Sequence, residues 1–243
     1  MGAYVVLGGT GAVGSALVGQ LIDAGNRVMV GARDPEKLCS LAERWGCERS
    51  EVRADDSQSV DACVESANEK FGQVDGVVNC MGSVLLKPAH LVSDEQWHET
   101  LAANLSSSFY LARAAAKQMR GRGGSMVFVS SAAARHGIAN HEAIAAAKAG
   151  VEGLAISLAA TYASRGIRVN AVAPGLVKSQ MTRSLWEPAA SAKASAAMHP
   201  LGRLGEPSEV AELIAWLLQP TAGWVTGQVI GIDGGLGSLT PRR

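Results

Sequence analysis

Cysteine is scarce. Cys39, Cys47, Cys63 and Cys80 have neither CxxC spacing nor histidines at metal-ligand intervals, which argues against a zinc site or a redox pair. They read as reduced thiols, and no metal site is expected. Net charge is also missing: 22 basic residues balance 22 acidic ones, with no basic run. Nucleic acid and anionic membrane surfaces are therefore not expected partners, and a small neutral or polar ligand is. No segment approaches the roughly 20 apolar residues of a membrane span, and the N-terminus enters a strand pattern with no signal-like stretch before it. The sequence thus leads us to expect a soluble, cytoplasmic protein. Repeats, low-complexity tracts and linkers are lacking too, so residues 1–243 read as a single domain.

What is present is a 47% hydrophobic composition arranged in short apolar runs. Segments 3–8, 27–32, 76–82, 125–131, 167–175 and 228–235 read as strands, several apolar throughout, as strands covered on both faces are. Longer stretches with helical periodicity separate them. This alternation predicts an α/β fold, a doubly wound parallel sheet of the Rossmann type, with its ligand crevice at the carboxyl ends of the strands. The irregular stretch 182–207 is long enough to be a small helical lid.

The first strand turns through Gly8, Thr10, Gly11, Val13 and Gly14 into a helix. Glycines there let bare backbone approach a pyrophosphate held by the helix N-terminus; a turn needing glycine only for its geometry is the competing reading. At the end of the second strand, Gly31 and Ala32 stand where a carboxylate would bind an adenosine 2′-hydroxyl, and Arg33 follows. A guanidinium suits a 2′-phosphate, so NADP(H) is preferred over NAD(H), unless Arg33 merely pairs with Asp34. Further along, Lys148 lies in an alanine-rich helix with no acidic partner following it.

In order along the chain, GGTGAVG, ADD (54–56), VNCMG (78–82), AANL (102–105), VFVSS, AAAKAG, VNAVAPG, PLGRLGEPSEVA and TGQVIGIDGG match the short-chain dehydrogenase/reductase family, which the chain resembles over practically its whole length. Ala12 departs slightly, standing where members commonly have glycine. The resemblance implies an NAD(P)-dependent oxidoreductase acting on a small carbonyl or alcohol substrate. It implies Asp55 at the adenine amino group, Asn79 to Gly82 along the adenosine, Pro174 and Gly175 at the nicotinamide, Val177 at the carboxamide, and Ser179 where threonine is frequent. It also implies a homotetramer that uses the helix of 208–219 and the following strand.

The same resemblance gives Lys148 the nicotinamide ribose, Ser131 the substrate oxygen and Asn104 the support of a water relay. The family's tyrosine belongs four residues before the lysine, where this chain has Ile144. An aliphatic side chain carries no proton, so the usual acid/base step cannot run. Three readings follow. In one, a reductase takes its proton from His141, from His136, or from water between Ser131 and Lys148. With Asn140 as the expected helix cap, His141 would begin the helix, two turns from Lys148 on nearly the same azimuth, its imidazolium form disfavoured by the dipole. In the second, an NADP(H)-binding or scaffold protein keeps the site without the chemistry. In the third, an isomerase or dehydratase uses a bound cofactor. Trp97, Trp216 and Trp224 read as core or interface packing, and Trp186, beside Met181 and Leu185 in the lid, as a substrate cover or core residue.

Overall fold

The apolar runs become strands in a computed structural model that describes residues 1–240: β1 (Ala3–Leu7), β2 (Arg27–Ala32), β4 (Gly76–Asn79), β5 (Gly124–Val129), β6 (Ile167–Pro174) and β7 (Val229–Ile232). A further strand, β3 (Glu48–Glu51), was not expected. Its sequence ERSE is polar and only half-buried because it forms an outer edge of the sheet, where no second layer demands apolar side chains. All seven are parallel, in the order β3-β2-β1-β4-β5-β6-β7. The chain therefore winds outward from β1 and returns beside it as β4, leaving a crevice at the carboxyl ends of those two strands.

Residue alternation explains why the strands read as continuous apolar runs. Along β1, Val5 and Leu7 point into one core with Met29, Val77 and Phe128. Tyr4 and Val6 point into the other with Val28, Val30 and Val127. The helices α3 (Ser57–Phe71), α5 (Ser107–Gln118) and α6 (Glu142–Tyr162) cover the first face. On the second face lie α1 (Ala12–Asp23), α2 (Pro35–Trp45) and α9 (Pro207–Leu218). Several strands stop short of their apolar runs: β4 ends at Asn79, so residues 80–82 are loop, and β7 covers only the middle of 228–235.

Two local departures bear on the site. The helix α4 (Asp94–Leu101) continues into α5 through a π-helical turn, Ala102–Ser106, where Ser107 N–H bonds Ala102 C=O. Such turns occur often at functional sites. The expectation that no segment has span-like length also needs correction, because the helical stretch Glu142–Arg165 is long enough and has a mean hydropathy of 1.5. It packs on β6 and buries Lys148 and Glu152, so its apolar character belongs to the core.

The lid segment contains α7 (Arg183–Trp186) and α8 (Ala189–Met198), neither of which has a buried residue.

Candidate functional site

At the β1–α1 turn, Gly8 has φ +74, and its N–H reaches Gly31 C=O at 2.7 Å. A Cβ there would sit 2.6 Å from the backbone of Cys80 and Met81, and one on Gly14 would strike the Gly8 carbonyl. Glycine is thus required by close backbone packing as well as by φ. Gly11 is the N-cap of α1, with no side-chain cap and no acidic residue in the first turn. The helix therefore presents free amides and its positive dipole end, flanked by partly exposed Thr10 and Val13. This bare cradle suits a pyrophosphate.

Arg33 emerges exposed from the end of β2, with no ion pair among the described residues. Asp34 is occupied elsewhere: it caps α2 through Lys37 N–H at 3.1 Å and pairs with the Lys37 ammonium. The Arg33–Asp34 pairing is therefore not formed. Asp55 lies on the surface in a bidentate pair with Arg53, which holds its carboxyl below the usual range. Asn79 is 2% exposed, and its amide is fully used, donating to Ser107 and Ser108 Oγ at 2.9 Å each and accepting from Met81 N–H. It ties β4 to α5 and shapes the crevice floor.

Gly82, Asn104 and Lys148 converge. A Cβ on Gly82 would lie 2.7 Å from Asn104 Oδ1 and 3.6 Å from Lys148 Nζ. The π turn carries Asn104 inward, where its Nδ2 bonds Thr100 C=O at 2.9 Å and Ser83 Oγ at 3.1 Å, and its Oδ1 accepts from Ser83 N–H. The Lys148 ammonium bonds Val129 C=O at 2.7 Å. Burial with no carboxylate partner among the described residues pushes its pKa down to about 8, and neighbouring Cys80 opposes this. Burial likewise pushes the Cys80 thiol up to about 12, against the pull of Lys148.

Ser131 follows β5, and its Oγ accepts from Ala133 N–H at 3.2 Å, leaving the hydroxyl proton free to donate. Beneath it, Ser130 Oγ donates toward Lys148 C=O and Glu152 Oε1, and Glu152 also pairs with Arg135. These bonds fasten α6 to the end of β5, and with it the residues on either side of the crevice. Ile144 is buried one turn before Lys148 on the same face.

Asn140 is not the cap of α6. It adopts φ +64, and its carbonyl accepts from Lys87 N–H at 2.8 Å, which takes its backbone out of cap geometry. His141 is the N-cap instead. Its Nδ1 donates to Ala139 C=O at 2.8 Å, which leaves Nε2 as the ring nitrogen outside that bond. His136 is exposed in the same loop.

Beyond β6, whose last residue is Pro174, Gly175 and Val177 line the strand ends, and Val177 bridges Gly205. Gly175 has no room for a side chain because His199 Nε2 and Asp233 press against it. His199 was not singled out from the sequence, where it looks like any lid residue; it is 4% exposed. Trp186 is held by an indole bond to Ser179 C=O at 3.0 Å. Trp224 is fully exposed, and Trp97 and Trp216 are partly so, which rules out core packing for all three.

A family model described as enoyl-(acyl carrier protein) reductase matches residues 9–237. The 3-oxoacyl-(acyl-carrier-protein) reductase FabG of Vibrio harveyi is 30% identical over 236 residues, 96% of each chain. Among solved structures, a short-chain type dehydrogenase/reductase from Mycobacterium ulcerans superposes with TM-score 0.94 at 30% identity, covering 98% of this chain and 90% of that one. An actinorhodin polyketide ketoreductase with NADPH gives TM-score 0.92 at 29% identity, covering 98% of both.

Proposed function

The chain belongs to the short-chain dehydrogenase/reductase family of oxidoreductases, and from that premise we propose that it is an NADPH-dependent carbonyl reductase whose proton comes from water held between Ser131 and Lys148. The observation that carries this reading is the convergence of Lys148, Asn104 and Gly82 in the crevice, with Ser131 at the adjoining strand end and Ile144 in place of a phenol. Ser131 caps the turn after β5 with its lone pair and keeps its hydroxyl proton for a substrate oxygen, a donor that nucleotide binding alone does not call for. The V. harveyi relative is named a reductase, and the actinorhodin enzyme is named with NADPH.

The cofactor supplies a hydride when bound, and the chain's residues do the rest. The uncapped end of α1 would receive the pyrophosphate, Arg33 would pair with the adenosine 2′-phosphate, and Lys148 would hold the ribose. Asp55 and the loop that follows Asn79 would border the adenosine, the Asn79 amide being spent within the fold. Ser131 Oγ donates to the substrate oxygen. The exposed Phe109, Ile156 and Trp224 support the homotetramer reading, since each is an apolar surface that a second copy would cover.

Titration followed by nicotinamide fluorescence tests the cofactor assignment. NADPH is expected to bind at least severalfold more tightly than NADH, and Arg33→Ala to erase most of that difference. Equal affinities in the unmodified protein would sink it. Ser131→Ala is expected to keep NADPH affinity within about threefold, roughly 0.6 kcal/mol, while lowering ketone turnover by about tenfold or more. With the water route, His141→Ala leaves turnover unchanged. If NADPH binds yet no hydride passes to ketones, aldehydes, acyl thioesters or quinones, the alternative of a cofactor-binding module takes over.

A further inference from the structure

We propose that His199 is a positioning residue: its imidazole clamps the far end of the lid to the loop of Gly175 and Leu176, and so sets the shape of the surface that would receive the nicotinamide half of the cofactor. The clamp stands on the protein's own hydrogen bonds, and its consequence for binding rests on the NADPH reading above.

Both ring nitrogens are engaged, each by a different segment. Nδ1 donates to Ser195 C=O at 2.8 Å, satisfying one of the carbonyls left open at the C-terminal end of α8. Nε2 accepts from Leu176 N–H at 3.1 Å. Only one neutral tautomer makes both bonds, and it is locked by them. The ring also fills the space beside Gly175, where a Cβ would sit 2.7 Å from Nε2 and 3.0 Å from Asp233 Cα. The Asp233 carboxylate is itself occupied, accepting from Gly235 and Gly237 N–H, so it forms a rigid opposite wall.

The lid depends on this contact because it has little else. No residue of α7 or α8 is buried. The near end is tied by Thr182 Oγ1 to Val177 C=O and by the Trp186 indole to Ser179 C=O. At the far end, buried His199 joins α8 to the strand ends, with Leu201 N–H to Gly234 C=O just after it. Leu176 is bound through its carbonyl to Gly205 N–H, so the imidazole completes its backbone bonding. Removing the acceptor leaves the Leu176 N–H unpaired and frees the lid in one step.

Amide hydrogen exchange of the cofactor-free protein tests the clamp directly. His199→Leu, which keeps bulk without an acceptor, is expected to speed exchange by about tenfold or more at Leu176 and across residues 183–198. His199→Gln, whose carboxamide can accept from Leu176 and donate to Ser195, restores it to within about threefold. Binding supplies the second arm: His199→Leu lowers NADPH affinity by about tenfold but leaves 2′,5′-ADP, which lacks the nicotinamide half, within about twofold. Unchanged exchange in His199→Leu overturns the clamp. So does an equal fall in affinity for both ligands, or failure of folded His199→Gln to restore exchange. If His199→Leu does not fold, His199→Gln decides by matching or missing the parent exchange. If the unmodified protein binds no NADPH, the cofactor reading fails while the exchange arm still judges the clamp.

Discussion

Ile144→Tyr is expected to raise ketone reduction by about 10²-fold or more, the usual worth of a positioned general acid. Position 144 faces the same side of α6 as Lys148, one turn away, and is 5% exposed. A phenol placed there would lie beside the ammonium, which favours its ionised form and brings its proton affinity nearer to working pH. The exchange enlarges a buried side chain, so about 1–3 kcal/mol of stability is expected to be lost by overpacking. Steady-state turnover on a panel of simple ketones with NADPH measures the effect, and the pH profile should gain a titration that the parent lacks. If turnover does not rise while the fold and NADPH affinity persist, the crevice is organised for chemistry other than carbonyl reduction.

Lys148→Met carries the second large effect, on binding and on pH dependence together. In the proposed role of ribose ligand, Lys148 is expected to be worth about tenfold or more in NADPH affinity, a loss that titration will show. Its burial also costs stability. In the folded chain its pKa falls from 10.5 to about 8 because the charged form is desolvated. Between these two values the unfolded chain binds more protons than the folded one, so stability rises as pH climbs from about 8 to 10.5. Below about 8 the full penalty stands, about 3 kcal/mol at most, offset in part by the bond to Val129 C=O. Urea midpoints across this window should rise for the parent once the common drift of other groups is subtracted. They should stay flat for Lys148→Met. The same slope in both proteins would show that Lys148 is charged as readily in the fold as in the unfolded chain.

Much of this was legible along the chain. Parallel strands covered on both sides are apolar at most positions, so β1, β2, β5 and β6 announce themselves; the edge strand β3, covered by no second layer, is polar and was missed. The glycine turn was equally plain, since Gly8 answers to a positive φ and Gly14 to contact with Gly8 itself, both local demands. The spacing of Ile144 from Lys148 translates directly into one helical turn.

Other features depend on contacts between segments far apart in sequence. Asn140 is a good cap by residue type, yet the N–H of Lys87, more than fifty residues earlier, draws its carbonyl away and the cap passes to His141. Asn79 belongs to a cofactor motif by pattern, but two serines on α5 consume its amide. Arg33 was weighed against a pairing with Asp34 that Lys37 and the end of α2 pre-empt. His199 gave no sequence signal, because the partners that make it informative, Leu176 and Gly175, lie more than twenty residues away. By itself the sequence determined the α/β class, the glycine cradle and the order of the site residues, because periodicity, glycine geometry and one-turn spacing act between near neighbours. Tertiary structure alone decided which polar groups remain free for a ligand, because a hydrogen-bonding group is spent by whatever partner the fold brings to it, from any distance along the chain.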